Sequence, residues 1–160
     1  MIKIFISHSG HDEQLAKLIT DLLIGALEIQ EHQIRCSSVP GFKLPAGSHT
    51  STQLRMELQT CTVILGLLTE SSLLSYYVSF ELGAGWGMDK IVIPIIGPGL
   101  TTVQLRPPLS EQHAIKWQDR HDWEQLADDL SSYLRIKKRS IPRYSSIIQQ
   151  LVNFDPLAGP

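Results

Sequence analysis

The chain has 160 residues, of which 42% are hydrophobic and 19% charged, and its formal net charge is −2. This composition is typical of one globular domain with a sizeable core, and the charge excludes a broad basic surface for nucleic acid. No apolar run approaches the roughly 20 residues of a membrane helix. Because polar residues interrupt any N-terminal signal sequence, we expect a cytoplasmic protein without membrane or direct nucleic-acid partners.

The first half of the chain alternates strand patterns with helix patterns. The run "IKIFI" at 2–6 predicts a buried strand, and the helical spacing of leucine and isoleucine after Asp12 predicts an amphipathic helix with Asp12 as its cap. "HQIRCS" predicts a second strand, and "SVPGFKLPAGS", with two prolines and two glycines, predicts a long loop. "SHTSTQLRMELQT" predicts a helix.

The second half continues the alternation. "CTVILGLLT", "KIVIPIIG" and "HAIKW" predict strands, while "SLLSYYVSFELGAGWG" and "DWEQLADDLSSYLRIKKR" predict helices. "YSSIIQQLVNF" predicts one more helix or the start of a connection. This alternation favours an α/β fold with a mostly parallel sheet and helices on both faces. We expect a flavodoxin-like open parallel sheet of about five strands, in the order 2-1-3-4-5.

The two cysteines, Cys36 and Cys61, fall in apparent strands, so we expect buried free thiols rather than a disulfide scaffold. The glycines of "GAGWG" close a helix instead of opening one after a strand, which argues against a phosphate-binding loop. Close helix packing followed by a C-cap is the interpretation we favour for them, with Trp86 in the core or an interface.

One lone carboxylate, Glu81, lies in an otherwise uncharged helix. In the predicted fold, ligands bind beyond the carboxyl ends of the strands where the winding reverses, and this helix starts there. Such a carboxylate can accept hydrogen bonds from ribose hydroxyls or stabilise a cationic sugar ring. The competing interpretation is an exposed helix glutamate paired with Lys90 or Arg55.

Four segments, in order and spacing, resemble a TIR domain of the kind common in bacterial defence proteins. They are "KIFISHSGHD" at 3–12, "IRCSSVPGFKLPAGS" at 34–48 with the BB loop, "SYYVSFELGAGW" at 75–86, and "IVIPII" at 91–96. The third is similar to the family motif Ser-x-Trp-Cys-x-x-Glu-Leu, with Tyr77 and Val78 at the Trp and Cys positions. The resemblance covers residues 1–138, which leaves 139–160 as a C-terminal helix or linker that could lead to a sensor domain.

Enzymes of this family cleave NAD+ at the nicotinamide–ribose bond and release nicotinamide with ADP-ribose or a cyclic isomer. The resemblance implies that Glu81 is the catalytic carboxylate, that NAD+ is the substrate, and that no cofactor or metal is needed. Arg35 and Lys43 are candidates for the diphosphate, although either would equally be a surface charge. The full set of predicted substrate-binding residues is Phe5, Ser7, His8, Ser9, Arg35, Pro40, Gly41, Lys43, Ser75 and Tyr77.

The resemblance also implies partners: other TIR copies, through the BB loop, and a sensor domain or protein in antiphage defence. The main competing function is a TIR scaffold or signalling adaptor that catalyses nothing. A metal site, a serine hydrolase and a phospho-receiver have weaker support. His8 and His11 lack further ligands at metal spacing, no G-x-S-x-G elbow indicates a hydrolase, and the acidic cluster of a phospho-receiver is missing.

Overall fold

A computed structural model of the chain describes residues 1–37 and 50–156. Its centre is a parallel sheet in the order β2-β1-β3-β4-β5, as the sequence predicted. The strands are β1 (Ile4–Ser7), β2 (Ile34–Cys36), β3 (Val63–Leu68), β4 (Ile91–Ile96) and β5 (Ile115–Lys116). Strands buried on both faces require apolar residues at nearly every position, which is why β3 and β4 are aliphatic except at Gly66 and Pro94.

Six α-helices occur in the described part of the chain: α1 (Glu13–Ala26), α2 (Thr50–Thr60), α3 (Glu70–Leu73), α4 (Tyr76–Gly87), α5 (Arg120–Leu134) and α6 (Ser145–Val152). One core packs side chains of α1, α5 and α6 against one face of the sheet. The second core contains side chains of α2 and α4 on the other face. None of the helices described is both long and apolar enough to cross a membrane.

The helix predicted over 72–87 is two helices with a break at Leu74 and Ser75. Thr69 caps α3 in a capping box with Ser72, and the Ser75 side chain accepts a hydrogen bond from the Val78 N–H at the start of α4. Each cap satisfies backbone donors that an uninterrupted helix would satisfy internally. The expectation of a single continuous helix was therefore wrong.

The glycines of α4 have different surroundings. A Cβ on Gly85 would lie 2.3 Å from Ile64 Cδ1, whereas a Cβ on Gly83 or Gly87 would meet no atom within 4 Å. Close packing is thus confirmed at Gly85, where the helix lies directly on β3. The C-cap position is Met88 rather than a glycine, and Trp86 is 57% exposed, so it is not a core residue.

The C-terminal segment packs into the same unit as the rest of the described chain. Tyr144, Ile148 and Leu151 are fully buried in the core with α1, and the Arg139 N–H donates to the Ala26 carbonyl at 2.7 Å. The helix predicted at this end is α6. These residues therefore share the core with α1, and the division of the chain at residue 138 stays a prediction.

Gly85→Val should lower the free energy of unfolding by about 3 kcal/mol, at the upper end of overpacking costs, because the new methyl groups collide with Ile64. Gly83→Ala is the matched control and should be neutral or stabilising by up to about 1 kcal/mol, since its Cβ enters open space. Urea unfolding followed by circular dichroism measures both. Equal stability of the two variants would contradict the close contact.

Ile148→Ala should destabilise the protein by about 2–5 kcal/mol, the usual cost of a large-to-small change in a core, because Ile148 is fully buried. Ile141→Ala, at a side chain that is 43% exposed, should change stability by less than about 1 kcal/mol. The same urea titration compares them. An unchanged midpoint for Ile148→Ala would show that the C-terminal segment is a linker after all.

Candidate functional site

The site is centred on a hydrogen bond between β1 and α4. Side chains along β1 alternate, so Ile4 and Ile6 lie in the core that contains α1, while Phe5 and Ser7 face the opposite layer. At the carboxyl end of the strand, Ser7 Oγ donates to Glu81 Oε2 at 2.5 Å. The lone acid of α4 therefore lies at the edge of the sheet where a parallel α/β fold binds ligands.

Glu81 is buried, with 9% of its surface exposed, on the inner side of α4 beside Val78, Leu82 and Gly85. Burial raises the pKa of its carboxyl, and the hydrogen bond from Ser7 acts in the opposite direction. The interpretation of Glu81 as an exposed glutamate paired with a cation is wrong. Lys90, one of the two cations considered, donates to the Gln59 carbonyl at 2.6 Å.

The loop after β1 brings two predicted residues to the same edge. His8 is 9% exposed, with Nδ1 at 3.3 Å from the Ile6 carbonyl, and burial lowers the pKa of its imidazole, which favours the neutral ring at pH 7. Ser9 is also buried, and its Oγ accepts a hydrogen bond from the His11 N–H. Both side chains are thus polar but uncharged, as suits contacts with neutral hydroxyls.

Sequence reasoning missed the contact that joins this loop to the end of β3. Asp12 occupies the N-cap position of α1 but makes no side-chain cap bond there. Its Oδ2 instead accepts from Thr69 Oγ1 at 2.8 Å. Burial raises the pKa of the Asp12 carboxyl, and the Thr69 bond opposes that rise. An aspartate before a helix is normally a cap, so local pattern carried no signal for this bond.

A wide, open depression of about 570 Å³ lies between the β1 loop and the start of α4. The described residues that line it are Ser9, Gly10, His11, Ser71, Leu74 and Ser75. Ser7 and Glu81 are not among them, so the depression does not contain the pair. It shares elements with the pair, since Ser9 follows Ser7 by two residues and Ser75 is the N-cap of the helix that carries Glu81. The serines in its wall, Ser9, Ser71 and Ser75, place hydroxyls where they can hydrogen-bond a polar ligand.

The remaining predicted site residues have different surroundings. Phe5 is 1% exposed and packs in the core with α4, so it supports the site from below instead of lining its surface. Tyr77 is 73% exposed although it precedes Glu81 by one helical turn. Ser75 is the N-cap of α4. Pro40, Gly41 and Lys43 lie outside the described residues.

Arg35 forms a buried, two-pronged ion pair with Glu57. Its Nε and Nη2 each lie 2.6 Å from a carboxylate oxygen of Glu57, on α2, and its side chain is 10% exposed. The interpretation of Arg35 as a surface charge is therefore wrong. Its contact with a diphosphate stays a prediction, and Glu57 as its partner was not foreseen, because the pairing joins residues 22 positions apart.

The comparisons with known proteins agree with this architecture. No curated protein matches the chain significantly in sequence. The crystal structure of the TIR domain of the Toll-related receptor TRR-2 from Hydra magnipapillata superposes with a TM-score of 0.64 at 12% identity, over 81% of this chain and 98% of that one. At this identity the likeness shows the fold alone.

The sequence model of the TIR domain family matches residues 4–131. That range runs from the first residue of β1 into α5, and it includes the Ser7–Glu81 pair and the whole sheet. The chain therefore belongs to the TIR domain family.

Proposed function

We propose that this TIR domain is an NAD+ glycohydrolase that cleaves the nicotinamide–ribose bond, with Glu81 as its catalytic residue. The observation that supports this function best is the buried Glu81 carboxylate, held by Ser7 at the carboxyl end of β1. A buried carboxylate lowers the stability of the fold, because taking it out of water is costly. A catalytic role explains its presence, because the carboxylate can stabilise positive charge that develops beside it during the reaction.

The reaction proceeds by departure of the leaving group. The bond between ribose C1′ and the pyridinium nitrogen breaks, and its electron pair neutralises the nicotinamide ring. Positive charge then develops on the ribose, where the Glu81 carboxylate stabilises it and accepts hydrogen bonds from the ribose hydroxyls. Water adds to C1′ and loses a proton to solvent, which gives ADP-ribose. If a nitrogen of the adenine ring attacks instead, the product is a cyclic isomer.

The chemistry needs one carboxylate and no paired acid, since nicotinamide leaves as a neutral molecule. Ser7 orients the carboxylate, while Ser9 and Ser75 line the depression next to it. Arg35 and Lys43 remain candidates for the diphosphate, and Tyr77 for packing on the ribose. The BB loop, with Pro40 and Gly41, would complete the pocket in an assembled state, and a sensor would trigger that assembly in antiphage defence.

An adaptor function that involves no catalysis is the second candidate. TIR domains commonly self-associate or pair with other TIR domains, and α4 carries several exposed aromatic side chains, among them Tyr76 and Phe80. Such a surface favours association. It does not explain the inner side of the same helix, where a neutral residue would serve packing better than Glu81. The two functions are compatible in one protein.

Glu81→Gln should reduce nicotinamide release from NAD+ by at least about 100-fold, the effect expected when a group that stabilises transition-state charge is lost. The amide has the shape of the carboxylate and can still accept from Ser7, so the fold is retained. Concentrated protein is incubated with NAD+, with and without a crowding agent, and products are separated by chromatography. Glu70→Gln removes an exposed carboxylate from α3 as the matched control.

Turnover that persists in Glu81→Gln would overturn the assignment of the site. Turnover absent from the folded parent protein under assembling conditions would favour the adaptor. Retained activity in Glu70→Gln together with loss in Glu81→Gln would establish that position, rather than net charge, controls the reaction. The ratio of ADP-ribose to its cyclic isomer then defines the product.

Stability should depend on pH through Glu81. Burial raises its pKa in the folded state, so folding favours the protonated carboxyl. The stabilisation from this preference is fully present below the unfolded pKa of about 4.3. It is lost as the pH rises through the raised pKa of the folded state. Glu81→Gln, which stays neutral, should therefore match the parent protein near pH 4 and be the more stable at pH 7.5. Urea unfolding across this range measures the difference, and a difference independent of pH would contradict a buried, titrating carboxyl.

A further inference from the structure

The outer surface of α4 and the residue pair before it is apolar and uncharged. Large side chains exposed there are Leu74 (84%), Tyr76 (92%), Tyr77 (73%), Phe80 (77%) and Trp86 (57%). The helix carries one charged residue, Glu81, and that one is buried. Contiguous exposed apolar surface of this kind marks a binding site on a globular protein. The positions of large and small residues along it indicate which partner binds there.

Four positions form one stripe along the exposed side of α4: Tyr76, Phe80, Gly83 and Gly87. Their spacing of four, three and four residues keeps them on one helical face. The first two project aromatic rings into solvent. The last two leave the helix surface flat, with no atom within 4 Å of where a Cβ would lie. The first half of the stripe therefore carries protruding aromatic rings, and the second half carries no side chains.

This arrangement is complementary to itself when reversed. The midpoint of the stripe lies between Phe80 and Gly83, and Tyr76 precedes it by as many residues as Gly87 follows it. We propose that two copies of this chain associate through α4 in antiparallel, two-fold fashion, with Phe80 of each copy over Gly83 of the other and Tyr76 over Gly87. A two-fold contact uses the same patch on both copies, as a self-complementary stripe requires.

A cleft beside Gly83 provides the receiving space for the Phe80 ring. It has a volume of about 220 Å³ and lies between α4 and the segment 104–109. Its walls include Ser79, Gly83, Leu105 and Leu109, and the exposed Arg106 also lines it. An aromatic anchor that enters an apolar pocket on the partner is the typical centre of a stable interface. Because Gly83 has no side chain, the opening of the cleft on the helix side is unobstructed.

Charge and area both fit a second copy. The stripe contains no charged residue, so two identical faces meet without burying like charges against each other, which a charged patch would do. An aromatic side chain buries 150–250 Å², so the two rings of the stripe, Tyr76 and Phe80, supply roughly 300–500 Å² per copy. A standard interface buries about 800 Å² per partner. The contact is therefore smaller than a standard interface, and we expect a reversible dimer in the micromolar range, formed by residues other than those of the BB loop.

The test is sedimentation equilibrium of the 160-residue chain over a range of concentrations. Phe80→Lys and Gly83→Glu should each weaken dimerisation about 100-fold, because each change disrupts two symmetric contacts at about tenfold per contact. Tyr133→Lys is the matched control. It places the same charge on a half-exposed aromatic of α5, on the other face of the sheet, and should leave the dissociation constant unchanged.

Mixing the two disruptive variants tests the register itself. In a mixed pair, the introduced lysine of one copy faces the introduced glutamate of the other, and the second contact keeps the original Phe80 and Gly83. The mixture should therefore recover dimers that neither variant forms alone, which also shows that both variants are folded. Three results would each overturn the proposal. The parent chain could stay monomeric at about 200 µM, well above the micromolar range expected. The Phe80→Lys chain could dimerise normally, or the mixture could fail to recover dimers.

Discussion

The hydrogen bond between Ser7 and Glu81 is the interaction on which the arrangement of the site depends. It joins the carboxyl end of the second strand in the sheet order to the middle of α4, and it is possible only because the alternation of β1 turns Ser7 toward that layer while Ile6 packs on the other. Burying a carboxylate is expensive even when a hydroxyl donates to it. This cost arises at the carboxyl edge of the sheet, which is the edge where parallel α/β folds bind ligands.

The entry into α4 is fixed by a chain of side-chain bonds rather than by the helix itself. Thr69 caps α3 and its hydroxyl donates to Asp12. Ser72 Oγ accepts from the Thr69 backbone N–H, and Ser75 is the N-cap of α4. These contacts tie the loop after β1 to the end of β3. They also break the helix ahead of Tyr76, which sets the rotation of α4 and so aims Glu81 inward. Gly85 then lets the helix lie on β3 at close range.

The strands, most of the helices and the position of Glu81 were accessible from sequence because each depends on local pattern: aliphatic runs for β3 and β4, helical spacing in α1 and α5, and one acid in an uncharged helix. The strand order came from the flavodoxin-like topology assumed for such an alternation, and the break between α3 and α4 was missed. The contacts that escaped prediction are long-range. Arg35 and Glu57 both look like surface charges until the fold buries them together, and Asp12 looks like a cap until the fold brings Thr69 beside it. Tyr144 and Ile148 follow a basic run typical of a linker, yet they complete the core beside α1.

The inner side of α4 packs against the sheet and carries Glu81, whereas its outer side is exposed and apolar. Residues 78, 81, 82 and 85 face the core, whereas the stripe from Tyr76 to Gly87 lies more than a quarter turn away from Glu81 at about 100° per residue. The depression is lined by Ser9 and Ser75, among other residues, and by none of the four residues of the stripe. The proposed contact between copies and the edge that carries Ser7 and Glu81 therefore use different residues of α4, so one helix can serve both association and ligand binding.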